Sequence, residues 1–131
     1  SQIFVPQYKN CLIYKSTLPN NKLKKICIKS LEENKAKNLL VLDVKKISAF
    51  ADSLIIVSAT SNRHAKTLSN KLVDLIKLNQ LCILGIEGDV ESGWVLVDCG
   101  EIVINIMTKE TRDYYDLEGL WGEKTLLNTS A

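Results

Sequence analysis

Only one histidine, His64, is available for acid–base chemistry at neutral pH. Its imidazole could activate a hydroxyl nucleophile, and Ser58, Thr60 and Ser61 are the nearest candidates in sequence. Such catalysis requires the hydroxyl to lie within hydrogen-bonding reach of the ring. The sequence has no G-x-S-x-G elbow and neither of the two best-known phosphate-binding glycine patterns. These residues therefore give little support for a hydrolase or a nucleotide-binding enzyme.

Two pairs of acids could in principle hold a metal ion. Asp89 and Glu91 are separated by one residue, and Asp113 and Asp116 are at helical spacing. Metal-dependent nucleotidyl transfer needs rigidly held acids and a glycine-serine turn for the phosphates, and no Gly-Ser dipeptide occurs. A solvated, glycine-bounded loop is the better interpretation of Asp89 and Glu91. We expect no catalytic residue, metal or cofactor.

The cysteines, like the acids, do not form a recognisable metal-binding pattern. The four lie at positions 11, 27, 82 and 99, and no pair has C-x-x-C spacing. With only one histidine available, a zinc site would have to draw on scattered residues. We therefore expect free cysteines in a reducing cytoplasm.

Length and composition are those of one ordinary globular domain. The chain has 131 residues, 46% hydrophobic and 24% charged, with a net charge of +2. That charge is too small to predict nucleic acid as the main partner, and no apolar run is long enough to cross a membrane. Residues 1–20 lack the pattern of a secretory signal. We treat them as an extension, processed leader or vector remnant outside the functional domain, and expect a cytoplasmic or organellar location.

The hydrophobic pattern predicts an α/β fold. A helix begins after Pro19, strands follow at 39–44 and 53–59, and a long helix capped by Thr60 or Ser61 ends near Asn79. A third strand at 81–86, a hairpin at 94–107 and a short helix capped by Thr111 complete the order. This order predicts a five-stranded mixed sheet, with the two main helices on one face. The passage through residues 53–86 should be a right-handed crossover if its strands are parallel.

The hairpin WVLVDCGEIVINIM organises the rest of the domain. A turn at Cys99-Gly100 would place Val97 opposite Ile102 and Val95 opposite Ile104, and directly opposed residues share a face. One face is then entirely aliphatic and must be core: Val95, Val97, Ile102, Ile104 and Ile106. We call the other face the outer face, and it mixes apolar and polar side chains: Trp94, Leu96, Asp98, Glu101, Val103, Asn105 and Met107.

The outer face has the composition of a docking surface. Trp and Tyr are frequent interface anchors, and Trp121 and Tyr114 lie on one stripe of the final helix. That stripe could fold back on the sheet or extend the outer face as an aromatic patch. Arg63 and His64, which follow the cap of the long helix, could face solvent or contact a partner or an acid such as Asp52.

Three ordered segments together resemble the ribosomal silencing factor family, also called Iojap. The segment ADSLIIVSATSNRHAKTLSNKL is similar to its block of an aspartate, an apolar strand, T-S-x-R-H and a helix. IEGDVESGWVLVDCGEIVINIM is similar to its E-G, W-x-L-x-D-x-G and apolar-strand block. TRDYYDLEGLWGE is similar to its terminal R-x-Y-Y-x-L-E-x-L-W block. The resemblance predicts a domain over residues 21–123, followed by a tail at 124–131.

The resemblance implies a function without catalysis. Family members bind ribosomal protein fourteen of the large subunit, block joining to the small subunit and repress translation when nutrients are short. Some organellar relatives act in large-subunit assembly. The implied fold is a nucleotidyltransferase-like α/β sandwich. This sequence departs from the family at Asn105, where a histidine is usual, so that no acid–base role carries over to that position.

We therefore expect a docking protein rather than an enzyme, with the large subunit as its partner. A nucleotide-binding enzyme on the same fold and a homodimer closed through the outer face are the alternatives. Neither a membrane nor direct sequence-specific nucleic-acid binding is expected. The predicted partner contacts are Trp94, Leu96, Asp98, Glu101, Val103, Asn105, Tyr114, Tyr115, Leu117, Glu118 and Trp121. Secondary contacts are predicted at Asp52, Arg63 and His64.

Overall fold

A computed structural model of the chain describes residues 20–46, 48, 51–89, 91–117 and 119. In this part of the chain, three helices and five strands form one α/β domain, as the sequence predicts. The predicted contacts Glu118 and Trp121 lie outside the described residues. The helices are α1 (Asn20–Glu33), α2 (Asn62–Leu78) and α3 (Lys109–Tyr115). The strands are β1 (Lys37–Asp43), β2 (Ser53–Ala59), β3 (Gly85–Asp89), β4 (Trp94–Asp98) and β5 (Ile102–Thr108).

The five strands form one mixed sheet in the order β1-β2-β5-β4-β3. The central pair, β2 and β5, is parallel, and the other three pairs are antiparallel. Strand β2 is buried along its whole length, as its apolar run predicts for a strand covered on both sides. The two edge strands, β1 and β3, carry most of the exposed strand positions. The hairpin therefore lies inside the sheet, with β5 against β2 and β4 against β3.

The hairpin has the predicted faces but a register shifted by two residues. Val97 pairs with Ile104, and Val95 pairs with Ile106. The turn is centred on Gly100 and Glu101; Gly100 has a left-handed φ of 82°, and the Glu101 N–H donates to the Cys99 carbonyl (3.1 Å). Because a two-residue shift conserves the alternation of side chains, the predicted division into core and outer faces is confirmed while the predicted pairing is wrong.

Helices α1 and α2 both contribute to the main hydrophobic core, on the aliphatic face of the hairpin. Ser61 is the N-cap of α2, and its side chain accepts a hydrogen bond from the His64 N–H (3.0 Å). Apolar residues at helical spacing face the sheet, and all are buried: Ala65, Leu68, Leu72 and Ile76. The predicted position of this helix is confirmed.

A second, smaller core covers part of the opposite face. It joins the outer side of the sheet to the segment after β1, with Leu42, Val44, Ala51, Leu54, Ile56 and Met107 as its buried members. Met107 is completely buried, although the sequence alone places it on the mixed face of the hairpin. The second core therefore covers part of the outer face, and only the rest of that face is open to solvent.

Two predicted element boundaries were wrong. The third strand begins at Gly85, because Leu81 and Ile83 are buried in the main core without belonging to a strand. The last helix is capped by Thr108 and not by Thr111, since Thr108 has extended backbone geometry and its side chain accepts from the Thr111 N–H. Leu81 and Ile83 fill the core from the loop that precedes β3. The last helix is capped three residues before the predicted Thr111.

The cysteines only partly match the expectation of free thiols. Cys27 and Cys99 are free and buried in the main core, but Cys82 is disulfide-bonded, so the expectation was wrong there. Burial raises the pKa of the Cys27 thiol to about 12. Burial, reinforced by the neighbouring Cys27 and Asp98, also raises the pKa of Cys99 well above its ordinary value. Both buried groups are therefore neutral thiols at physiological pH.

Within the described residues, no helix combines the length and the apolarity that crossing a bilayer requires.

Candidate docking surface

Asn105 lies at the centre of the outer face. It pairs with Ile56 of β2 on one side and with Leu96 of β4 on the other, and Leu96 pairs in turn with Glu87 at the edge of the sheet. Only 1% of Asn105 is exposed. The sequence predicts Asn105 as a surface contact, but the structure places it in the floor of the outer face. The Asn105 amide can therefore form hydrogen bonds only with groups that pack directly against it.

Asn105 fixes the orientation of Trp94. The Trp94 Nε1–H donates a hydrogen bond to Asn105 Oδ1 over 2.9 Å. Because an indole nitrogen is only a donor, the amide must present its oxygen to Trp94 and direct Nδ2 elsewhere. Trp94 is half-buried, so one part of its ring packs on the sheet while the rest faces solvent. This hydrogen bond holds the large, partly exposed side chain of Trp94 in one orientation.

An aromatic cluster continues the surface from Trp94 onto α3. The Trp94 and Tyr115 ring centroids lie 5.0 Å apart, and Tyr115 meets Tyr114 edge-on at 4.9 Å. Tyr115 is 54% exposed and Tyr114 is 81% exposed. The alternative that the final helix extends the outer face as an aromatic patch therefore describes these two tyrosines better than burial against the sheet.

The buried arginine of α3 attaches this helix to the sheet, a role that the sequence does not reveal. Arg112 is 7% exposed, and its Nη1 donates to the carbonyl of Asn38 (2.7 Å) and to Ser58 Oγ (2.9 Å). These bonds join α3 to β1 and β2 across the top of the outer face. Nothing in a single Arg within a short polar helix distinguishes this anchor from a solvated side chain.

A groove of about 240 Å³ runs along the outer face below the aromatic cluster. We call it the outer groove. Its lining is almost entirely apolar and includes three of the predicted contacts besides Trp94 and Asn105: Leu96, Val103 and Leu117. The remaining lining residues come from β2 and from the segment that follows β1: Val44, Ser48, Ala51 and Leu54. A second groove of about 250 Å³ lies on the other side of Trp94 and Leu96, towards Glu87. These two side chains therefore form a ridge between two depressions.

Four carboxylates lie at the end of the sheet nearest the hairpin turn, and we call them the acidic end. They are Asp43, Asp52, Asp98 and Glu101. The backbone places them together, because the Glu101 carbonyl accepts from the N–H groups of Asp52 (2.7 Å) and Ser53 (3.0 Å). Asp98 is half-buried, and its Oδ1 accepts from the Gly100 N–H (2.8 Å). The predicted acidic contacts Asp98 and Glu101 therefore lie at one margin of the outer face.

The three predicted secondary contacts do not form one site. Asp52 precedes β2, whereas Arg63 and His64 follow it, and the seven residues of this strand span roughly 20 Å. The hypothesis that Arg63 or His64 contacts Asp52 is therefore wrong. Arg63 is exposed at the first turn of α2.

The imidazole of His64 is occupied by backbone groups. The Thr60 N–H donates to His64 Nδ1 (2.9 Å), and His64 Nε2 lies 2.9 Å from the carbonyl oxygen of Asn34. Since that carbonyl can only accept, Nε2 carries the proton and donates. The ring joins the end of α1 to the start of α2. Ser61 accepts from the backbone of His64 rather than from its ring, and Thr60 Oγ1, at 3.2 Å, shares an already occupied Nδ1.

A cavity of about 570 Å³ lies at the carboxyl ends of β2 and β5. Its charged lining residues are Lys37, Lys109 and Glu110, and the rest are mainly hydroxyl and amide side chains. Lys109 forms an exposed ion pair with Asp113 (2.9 Å). In the part of the chain that the structure describes, no three His, Cys, Asp or Glu side chains are grouped as metal ligands.

Comparison with known proteins supports the resemblance on which the docking interpretation depends. Residues 17–130 match the model of the family described as "Ribosomal silencing factor during starvation". The ribosomal silencing factor RsfS of Chromobacterium violaceum is 38% identical over 100 residues, which are 76% of this chain and 82% of the relative. The mouse protein "Mitochondrial assembly of ribosomal large subunit protein 1" is 34% identical over 70% of this chain and 41% of its own length.

The fold agrees with that of a solved relative. A crystal structure of a Chromobacterium violaceum protein superposes with a TM-score of 0.77 at 36% identity, covering 80% of this chain and 88% of the other. Residues 17–130, which match the family model, include all five strands of the sheet and its outer face. The chain belongs to the ribosomal silencing factor family.

Proposed function

We propose that this protein represses translation under nutrient limitation by occupying the large ribosomal subunit. Ribosomal protein fourteen of that subunit is the proposed partner, and the block on joining to the small subunit is steric. Family membership and the name of the mouse relative, which refers to the large ribosomal subunit, support a large-subunit partner. The mechanism requires a surface that binds protein and needs no bond to be made or broken.

The pre-positioned Trp94 is the observation that carries this proposal. Its indole is held by Asn105 and flanked by Tyr115, so binding would immobilise few additional side-chain torsions. Interface energy is concentrated in a few aromatic and arginine side chains near the centre of the contact. Trp94 and Leu96 form a ridge with a groove on each side, a shape that can interlock with a complementary surface.

The acidic end supplies the electrostatic part of the proposed contact. Ribosomal proteins are rich in Lys and Arg, and a partner with cations beside an apolar patch would match Asp98 and Glu101. Charges at the rim of an interface accelerate encounter and fix register more than they raise affinity. Binding should therefore weaken moderately as the salt concentration rises.

The position of the helices supports a steric mechanism. Helices α1 and α2 pack on the core face of the sheet, opposite the outer face. A protein docked through its outer face would project both helices away from the large subunit. If the docking site lies on the face that meets the small subunit, this second layer would hold the two subunits apart.

Large-subunit assembly is the second candidate function. It is favoured by the mouse relative, whose name refers to assembly of that subunit in mitochondria. The same surface would serve both roles, because each needs a stable contact with the large subunit. The location follows the role: the cytoplasm for silencing in a bacterium, and an organelle for the assembly alternative.

Cosedimentation with purified subunits tests the proposed docking. The wild-type protein should pellet with large subunits but not with small ones. Trp94→Ala should lower the affinity by about 2–4 kcal/mol, roughly 30- to 1000-fold. Leu78→Ala is the matched control, because Leu78 is 78% exposed at the end of α2, away from the outer face. Equal binding by Trp94→Ala, with an unchanged circular dichroism spectrum, would remove Trp94 from the interface.

A further inference from the structure

One hydrogen-bond donor in the outer groove has no partner. Asn105 Oδ1 is used by Trp94, but Nδ2 is buried and finds no acceptor in the part of the chain that the structure describes. A buried amide without an acceptor destabilises a folded protein, so such groups are rare and call for a specific explanation. Asn105 also lines the outer groove. The geometry of the groove therefore points to an acceptor that arrives from outside the described fold.

The groove is suited to side chains rather than to a cofactor. Its volume of about 240 Å³ lies below the 300–1,000 Å³ that is usual for small-molecule pockets. It could hold about eight waters at liquid density, far more than one bridging water needs. Ser48 and Asn105 are the only polar residues among the described lining. One or two aliphatic side chains, together with a single neutral acceptor, match this lining.

We infer that the outer groove receives an apolar side chain of a partner protein segment whose backbone carbonyl accepts a hydrogen bond from Asn105 Nδ2. The inference rests on the proposed function, since it describes how the outer face would bind the large subunit. A backbone carbonyl fits better than a carboxylate, because a charged acceptor would lose its water in an apolar groove and approach Asp98 and Glu101. One extended segment can supply the carbonyl and the adjacent side chain together.

The acidic end favours a basic partner as the occupant over a second copy of this chain. Asp98 and Glu101 lie beside the groove, so a segment with Lys or Arg next to its apolar anchor would neutralise them. In a two-fold dimer through the outer face, the exposed Lys45 and Lys46, which follow Val44, would have to reach Asp98 and Glu101 of the other copy. The described side chains that line the outer groove include no Lys or Arg.

The two parts of the inference can be tested separately with purified large ribosomal subunits as the probe. Val103→Phe fills the groove from its floor and should lower the affinity at least about tenfold. Leu117→Trp fills the groove from a second lining residue and replaces Val103→Phe if that variant does not fold. Leu78→Ala, the exposed control on α2, should bind like the wild type.

Testing the hydrogen bond from Asn105 Nδ2 requires variants in which the bond from Trp94 to Asn105 Oδ1 is already absent. Trp94→Phe keeps an aromatic ring but removes the indole N–H, so Asn105 no longer orients it. Adding Asn105→Leu to Trp94→Phe then removes Nδ2 while keeping the number and branching of the side-chain heavy atoms. This second step should lower the affinity about 3- to 10-fold, the usual effect of one uncharged hydrogen bond.

The outcomes separate the inference from the proposed function. If the wild type does not bind large subunits, the proposed function fails. If the wild type binds but neither the filling variant nor the Asn105→Leu step changes the affinity, the inference is overturned and the proposed function stands. A filling variant that loses thermal stability but not subunit binding would assign the groove to another segment of this chain. A filling variant that changes the molecular mass in sedimentation would assign it to a second copy, and either result also overturns the inference.

Discussion

At the scale of single residues, Asn105 connects the core of the sheet to its outer face. Its position in a central strand gives it almost no exposure, and its one used hydrogen bond is made to Trp94. The amide oxygen therefore orients Trp94, and Nδ2 can donate to a group that enters the outer groove. Asn does not titrate near neutral pH, so this arrangement has the same hydrogen-bonding capacity across the physiological range.

The buried thiols lead to a prediction about reactivity. Because the thiolate is the reactive form and burial raises the pKa of Cys27 to about 12, alkylation of native Cys27 and Cys99 at pH 8 should be slow. Unfolding in urea should restore the ordinary rate. Peptide mapping after timed iodoacetamide treatment measures both residues, and labelling of the folded protein at the unfolded rate would contradict the burial.

The same pKa shifts predict a loss of stability at high pH. A thiol whose pKa is raised in the folded state stabilises that state fully below the unfolded pKa, near 9.0. The contribution is lost as the pH rises from 9 towards about 12. The free energy of unfolding should therefore decline more steeply above pH 9 in the wild type than in Cys27→Ala. Urea unfolding at pH 7, 9 and 10 measures the slopes, and parallel curves would be inconsistent with a raised Cys27 pKa.

At the scale of elements, side-chain alternation and capping could be predicted from the sequence, while pairing partners could not. The two faces of the hairpin follow from local alternation, and the Ser61 cap follows from residue type. The exact register depends on which two residues form the turn, and Gly100 fits more than one turn position. The buried positions of Arg112 and Met107 depend on contacts with β1 and β2, which no local pattern contains.

The turn before β4 depends on Gly93. Its φ of 80° is left-handed, and a Cβ at this position would overlap Thr111 Oγ1. Gly93→Ala should destabilise the fold by about 1–2 kcal/mol from the backbone conformation alone, and more if α3 must move. Urea denaturation measures the loss. Gly85→Ala is the matched control, because its Cβ would meet nothing within 4 Å, and a similar loss in both variants would contradict this account.

The attachment of α3 depends on Arg112. Replacing Arg112 with Met leaves Ser58 Oγ and the Asn38 carbonyl without the donor they share, so stability should fall by about 1–3 kcal/mol. The Tyr115 ring should also lose its fixed position over Trp94. Lys109→Met on the same helix removes only an exposed ion pair and should change stability little. Equal stability of the two variants would argue against Arg112 as an anchor.

At the scale of the whole molecule, the two faces of the sheet have different roles. The core face packs α1 and α2 and stabilises the domain, whereas the outer face carries the aromatic cluster, two grooves and the acidic end. Most of the predicted contacts lie on or beside that outer face. Asp52, Arg63 and His64 could not be placed from sequence, because their separation depends on the direction of β2 in the sheet.

The most direct test of the steric account is the joining of ribosomal subunits in the presence of this protein. Light scattering follows the association of purified large and small subunits after large subunits have been preincubated with the protein at saturating concentration. The wild type and Leu78→Ala should reduce the amplitude of association, and Trp94→Ala should not at the same concentration. If the wild type is shown to occupy large subunits and association still proceeds with unchanged rate and amplitude, the steric account is wrong.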